Sequence, residues 1–150
     1  MKITDLLIKD TMNLSLSSST KTEVIDELVT MLYDAGRIKD IKKFRKAIIA
    51  REEQVSTGVG GGVAIPHAKS KTVLEPTLVF GISEKGIDYK SLDGELSTIF
   101  FMIAVPEKGN DLHLKALSKL ARMLIHEDFK QGLLDAKTKD EVLALIDSKQ

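Results

Sequence analysis

Three histidines, one arginine and a run of glycines are the residues of this 150-residue chain whose types and spacing could do chemistry. His67 ends the run Gly62-Val63-Ala64-Ile65-Pro66-His67, just after Ser56-Thr57-Gly58-Val59-Gly60-Gly61. Histidine is the side chain whose ordinary titration falls near neutral pH. Glycines allow close backbone approach and can aim several N–H groups at one anion. Pro66 fixes a backbone torsion, so the imidazole stands on a stiff stem. A phosphate-accepting histidine needs this combination of a neutral ring nitrogen and nearby N–H donors. Gly58 and Gly62 are then candidate phosphate-binding positions, and Thr57 could add a hydroxyl hydrogen bond or simply cap the turn. The bland alternative is a loop histidine beside a turn.

His113 shares one helical face with Leu117, Leu120 and Leu124. That placement fits a hydrogen-bonded histidine at the edge of the core. It also puts the ring in a first helical turn, where the dipole favours an anion and disfavours an imidazolium. A neutral hydrogen-bond donor is the role that follows. Arg51 stands just before the glycine stretch, where its guanidinium could hold a phosphoryl group bidentately or stabilise a helix C-terminus. His126, in His126-Glu127-Asp128, is read as a solvated residue at a helix C-terminus, without a function.

Other chemistries fail on the same residues. Gly58-Val59-Gly60-Gly61-Gly62-Val63 breaks the dinucleotide pattern at its last position. Ala68 precedes Lys69-Ser70 where a phosphate-binding P-loop needs glycine. No serine sits in G-x-S-x-G, and no histidine spacing matches a zinc site, so no metal or other cofactor is expected. The absence of cysteine removes disulfides, thiolate ligands and a cysteine nucleophile together. Lysine plus arginine equals aspartate plus glutamate at 22 each, which gives no basic excess for a nucleic acid. No secretory signal is visible, and the longest apolar runs fall far short of the roughly 20 residues of a membrane span. A cytoplasmic protein without direct membrane insertion is the expectation.

The elements that must position these residues are legible in outline. A hydrophobic fraction of 43% with 29% charged residues fits one folded domain over residues 1–150. Thr20 and Glu23 form a capping box before Val24, Ile25, Leu28, Met31 and Leu32, and Gly36 stands at the C-terminal cap. A second helix starts near Asp40, with Ile41, Phe44 and Ile48 as its buried stripe. Asn13 to Ser17 alternates like a short strand, and residues 55–62 read as a loop. Val63-Ala64-Ile65 is extended ahead of Pro66. Thr77–Ser83 and Ser97–Val105 are strong strands, with Ile87-Asp88-Tyr89 a short one between them and Asp93-Gly94 a turn. The second strong strand is apolar on both faces, which predicts a central strand covered on both sides. Helices follow from Asn110 or Asp111, over Phe129–Leu134, and from Thr138 with Val142, Leu145 and Ile146 inward. The expected fold is a single-domain α/β helix–sheet–helix sandwich with a mixed central sheet.

Taken together, two blocks resemble a known family. The first runs from Arg51-Glu52-Glu53-Gln54-Val55-Ser56-Thr57-Gly58 into Gly62-Val63-Ala64-Ile65-Pro66-His67-Ala68. The second contains Ile103-Ala104-Val105-Pro106, Asn110-Asp111-Leu112-His113-Leu114 and Leu117-Ser118-Lys119-Leu120-Ala121. Both resemble the enzyme IIA domains of the fructose/mannitol type, from the bacterial phosphoenolpyruvate-dependent sugar phosphotransferase system. The resemblance implies that His67 carries a phosphoryl group, with His113 and Arg51 beside it. It implies a phospho-donor, the small histidine-containing carrier protein HPr, and a cysteine acceptor on an enzyme IIB carried by another polypeptide. A nitrogen-branch regulatory IIA, acting by phosphorylation-dependent protein binding, is the alternative to sugar uptake. A domain that binds partners without phosphorylation is a third reading, opposed by the presence of His67, His113 and Arg51 together. Gly61 departs from the asparagine of many members, which bears on how the loop holds phosphoryl oxygens.

Overall fold

A computed structural model of the chain describes residues 2–108 and 111–150. A short helix, α1 (Ile3–Leu6), leads into strand β1 (Leu7–Asn13) and then helices α2 (Lys21–Asp34) and α3 (Ile41–Gln54). Four strands follow: β2 (Gly58–Gly60), β3 (Val63–Ala64), β4 (His67–Ser70) and β5 (Thr77–Ile87). Strand β6 (Ser97–Pro106) precedes helices α4 (Leu112–Leu124), α5 (Glu127–Asp135) and α6 (Lys139–Lys149).

The six strands form one mixed sheet in the order β1-β5-β6-β3-β2, with β4 also paired to β6. Strand β6 runs antiparallel to β5 and parallel to both β3 and β4. Its residues alternate between two cores. Ile99, Phe101, Ile103 and Val105 pack with Ala116, Leu120, Phe129, Leu133, Val142 and Ile146, from α4, α5 and α6. Phe100, Met102 and Ala104 pack with Val24, Leu28, Phe44 and Ile48, from α2 and α3. The two-sided apolar run is therefore the shared wall of a helix–sheet–helix sandwich, as expected. No helix among the described residues is long and apolar enough to cross a membrane.

The caps follow the sequence signals. Thr20 Oγ1 accepts from Glu23 N at 3.2 Å, Asp40 Oδ1 from Lys43 N at 3.1 Å and Thr138 Oγ1 from Glu141 N at 3.1 Å. Asp111 occupies the N-cap of α4 without a side-chain bond, and Asn110 lies outside the described residues.

Three expectations change. Residues 14–17 are not a strand: Asn13 Oδ1 accepts from Ser15 N at 2.9 Å, an Asx turn that ends β1. The true strand lies earlier, and α1 before it gave no sequence signal. Residues 55–62 are not all loop, since β2 pairs antiparallel with β3. Ile87 closes β5 instead of opening a separate strand, and Asp88 and Tyr89 leave the sheet.

Candidate functional site

His67 is the first residue of β4, directly after Pro66 and opposite Ile103 of β6. Ile103 N donates to the Pro66 carbonyl at 2.9 Å, which locks the stem of the histidine onto the central strand. Ala68 packs in the α2–α3 core, so alternation turns His67 and Lys69 to the other face, toward α4. The His67 ring is half-buried, and Nδ1 lies 2.7 Å from the Ile65 carbonyl oxygen. A carbonyl can only accept, so Nδ1 carries the proton and Nε2 keeps its lone pair.

Burial holds the His67 imidazole below the ordinary histidine range, and the Arg51 guanidinium adds to that effect. The bond to Ile65 and the Glu52 carboxylate oppose it. His113, in the first turn of α4, is likewise held low by burial, then by Lys69 and His67, against Asp111. Its Nδ1 is buried without a hydrogen-bond partner among the described residues. Arg51, in the last turn of α3, donates from Nη1 to the Val55 carbonyl at 2.9 Å. The fold thus brings Arg51 of α3 and His113 of α4 each within electrostatic reach of His67 on β4. His126 is exposed at the N-cap of α5 and stands apart.

The glycines sit elsewhere. Gly60, Gly61 and Gly62 have φ of 99°, 64° and 81°, a sequence of left-handed conformations that makes the tight β2–β3 turn. Gly62 O accepts from Thr98 N at 2.8 Å and from Ile99 N at 3.0 Å, whereas His67 faces Ile103. At about 3.3 Å per residue, Gly62 lies about 16 Å along the chain from His67. Gly61 N donates to Asp93 Oδ2 at 2.9 Å, and Lys130 Nζ donates to Gly61 O at 3.0 Å. Gly58 N donates to Ser56 Oγ at 3.1 Å, and a Cβ at Gly58 would run into Ser91. The turn is a pinned hairpin, in which Ser56 takes the Gly58 N–H and Asp93 the Gly61 N–H, at the positions where the sequence suggests phosphate contacts by Gly58 and Gly62. Gly61 also gains a reason: a Cβ there would stand 2.9 Å from Lys130 Nζ, so this chain fills the space with lysine.

Thr57 is buried, and both its N–H and its hydroxyl donate to the Glu52 carboxylate, the N–H at 3.0 Å. Its hydroxyl proton is therefore engaged by the buried carboxylate. The Glu52 side chain is 5% exposed and pairs with Lys21 Nζ at 3.0 Å. Lys21 Nζ also lies 4.5 Å from the centre of the buried Tyr89 ring. Burial and Glu52 push the Tyr89 phenol well above its ordinary range. Sequence reasoning passed over Glu52, Lys21 and Tyr89. The available signal was the helical stripe Phe44–Ile48, which continues at Glu52 and so carries a carboxylate into the core.

Both site histidines are held below their unfolded value, so the folded chain binds fewer protons than the unfolded chain. Their contribution to stability is complete above about pH 6.5 and is lost as pH falls through the folded values. Thermal unfolding at pH 7.5 and pH 5.5 should show a lower Tm at the acid value. A variant with His67→Gln and His113→Gln should lose part of that difference; an unchanged difference would place its origin in other groups.

Over residues 5–149 the chain matches the family model described as "Phosphoenolpyruvate-dependent sugar phosphotransferase system, EIIA 2". It is 47% identical over 146 residues to the PTS system fructose-specific EIIABC component of Bacillus subtilis, covering 97% of this chain and 23% of that protein. The chain thus spans less than a quarter of that relative. It is 42% identical over 124 residues to the PTS system fructose-specific EIIA component of Haloferax volcanii, covering 83% of this chain and 80% of that protein. Among solved structures, nitrogen regulatory protein IIA-Ntr from Neisseria meningitidis superposes with a TM-score of 0.89 at 27% identity, covering 96% of this chain and 98% of that one. Together with the fold, these matches make the chain a member of the EIIA type 2 family of the phosphoenolpyruvate-dependent sugar phosphotransferase system.

Proposed function

We propose that the chain accepts a phosphoryl group on His67 Nε2 from phospho-HPr and passes it to a cysteine of an enzyme IIB, in the uptake of fructose. The observation that carries this reading is the 2.7 Å contact from Nδ1 to the Ile65 carbonyl, which leaves Nε2 as the unprotonated nitrogen. Nε2 attacks phosphorus in line; the new N–P bond forms as the donor N–P bond breaks and the donor imidazole takes the electron pair. In the second step a thiolate attacks the phosphorus and His67 Nε2 regains its lone pair. Catalysis is mostly positioning and charge stabilisation. Arg51 supplies positive charge to the moving phosphoryl oxygens. His113 supplies a neutral donor: a proton on its buried, unpartnered Nδ1 would be costly, so the ring carries its proton on Nε2.

The two fructose-specific relatives, at 47% and 42% identity, favour transport over the regulatory branch. The likeness to IIA-Ntr is one of fold and general family, since the two branches share their site chemistry.

Incubation with phospho-HPr should leave acid-labile, base-stable phosphate on the chain. Nitrogen NMR of the labelled protein should place it on Nε2 of His67, and a fructose-type IIB should remove it. A wild-type chain that takes no label would overturn the carrier reading, and label on Nδ1 would overturn the assigned tautomer.

A further inference from the structure

Three hydrogen bonds, joined through the Cα atoms of Thr57 and Ile65, tie a buried carboxylate to the backbone that holds the imidazole. Glu52 accepts from Thr57 N–H, and the Thr57 carbonyl accepts from Ile65 N–H at 2.9 Å. The Ile65 carbonyl then accepts the His67 Nδ1 proton at 2.7 Å. Three further contacts fix the origin of this link. The Thr57 hydroxyl donates to the second Glu52 oxygen, Lys21 Nζ pairs with the first at 3.0 Å, and Ser56 Oγ donates to the Tyr89 carbonyl at 3.0 Å. A carboxylate with 5% of its side chain exposed is costly to bury, and a stability role alone is a weak reason to keep it.

We propose that Glu52 is the positioning residue of this site. By pinning Thr57, which in turn holds the Ile65 backbone, it fixes the carbonyl that accepts the His67 Nδ1 proton, and its charge acts through space to stabilise the positive ring that forms when Nε2 takes a phosphoryl group. The inference rests on His67 as the phosphoryl acceptor. As Nε2 bonds to phosphorus, Nδ1 keeps its proton, so the ring passes from neutral to cationic while the donor ring returns to neutral. A fixed negative charge behind the ring favours that product, as a buried carboxylate does behind the histidine of a catalytic triad. The charged groups acting on His67 are Arg51 and Glu52 from α3, and the neutral, titratable His113 stands near it from α4. Lys69 on β4 and Asp111 ahead of α4 act on His113. Of the two that act directly on His67 from α3, Glu52 raises its proton affinity and Arg51 lowers it.

Two variants test the proposal by NMR titration of the His67 ring, which needs no phosphoryl transfer. In Glu52→Gln, His67 should titrate lower than in wild type, and the Nδ1–H tautomer should lose population. In Lys21→Met, whose side chain is 22% exposed, the less neutralised Glu52 should make His67 titrate higher. Phosphoryl uptake by Glu52→Gln should slow about tenfold or more, the scale of lost outer partners at reactive centres. Its transfer equilibrium should move back toward phospho-HPr. Shifts of one sign in both variants, or an unmoved titration and equilibrium in Glu52→Gln, would overturn the proposal. If Glu52→Gln does not fold, a downward or absent shift in Lys21→Met overturns it alone. Opposite titration shifts in a wild-type background that takes no label would sink the acceptor reading and leave the positioning of the ring intact.

Discussion

His67→Ala is expected to abolish uptake of label from phospho-HPr while leaving the fold in place. The ring is half-buried on the face of β4 toward α4 and makes one hydrogen bond among the described residues, to the Ile65 carbonyl. Losing that bond costs about 1 kcal/mol, too little to unfold a domain of this size. The chemical loss is total, because no cysteine is present to take over and the other two histidines lack the stem that Pro66 provides. The check pairs acid-labile, base-stable labelling with circular dichroism on the same preparation. Wild-type labelling of this variant would move the acceptor to another residue.

Arg51→Met should slow transfer by about 10²–10³-fold, the range for removing one preorganised charge-stabilising group. It should also raise the titration of His67, because the guanidinium helps to hold that ring low. A purely structural arginine predicts something else. Its bond to the Val55 carbonyl closes the end of α3, and losing a cation at a helix C-terminus costs about 1 kcal/mol or less. Single-turnover transfer rates and thermal melts separate the two. A lowered Tm with normal rates would return Arg51 to the helix end. Arg51→Lys is expected to fall between, since it keeps the charge and loses the fork.

The frame was legible where one local rule governed. The run Ser97–Val105 announced a strand covered on both sides because both of its alternating sets are apolar, and the two cores divide along that alternation. Strand β1 was hidden because its register slips between Leu7 and Met12, which breaks the period-two pattern. The glycine run is ambiguous for a different reason. Consecutive positive-φ residues are the requirement both of an anion nest and of a tight hairpin, and only the partners Asp93 and Lys130, distant in sequence, decide between them. Thr57, read as a hydroxyl donor or a turn cap, has its hydroxyl on a carboxylate inside the core. Glu52 could have been found by extending the Phe44–Ile48 stripe one more turn.

The parallel pairing of β4 with β6 has a consequence for how the site comes into being. Residue 67 finds its place only against residue 103, and His113 arrives later still with α4. Parallel contacts of this sequence separation are slow to close, because the intervening chain must be ordered first. During synthesis, then, the chain that carries His67 is made early but stays without its wall until β6 has left the ribosome. The imidazole gains the wall of β6 and the neighbouring His113 only in that late step, whereas the Ile65 carbonyl that fixes its tautomer lies two residues away. Truncated or half-made copies therefore lack the strand against which residue 67 is placed, and the site is assembled only in finished domains.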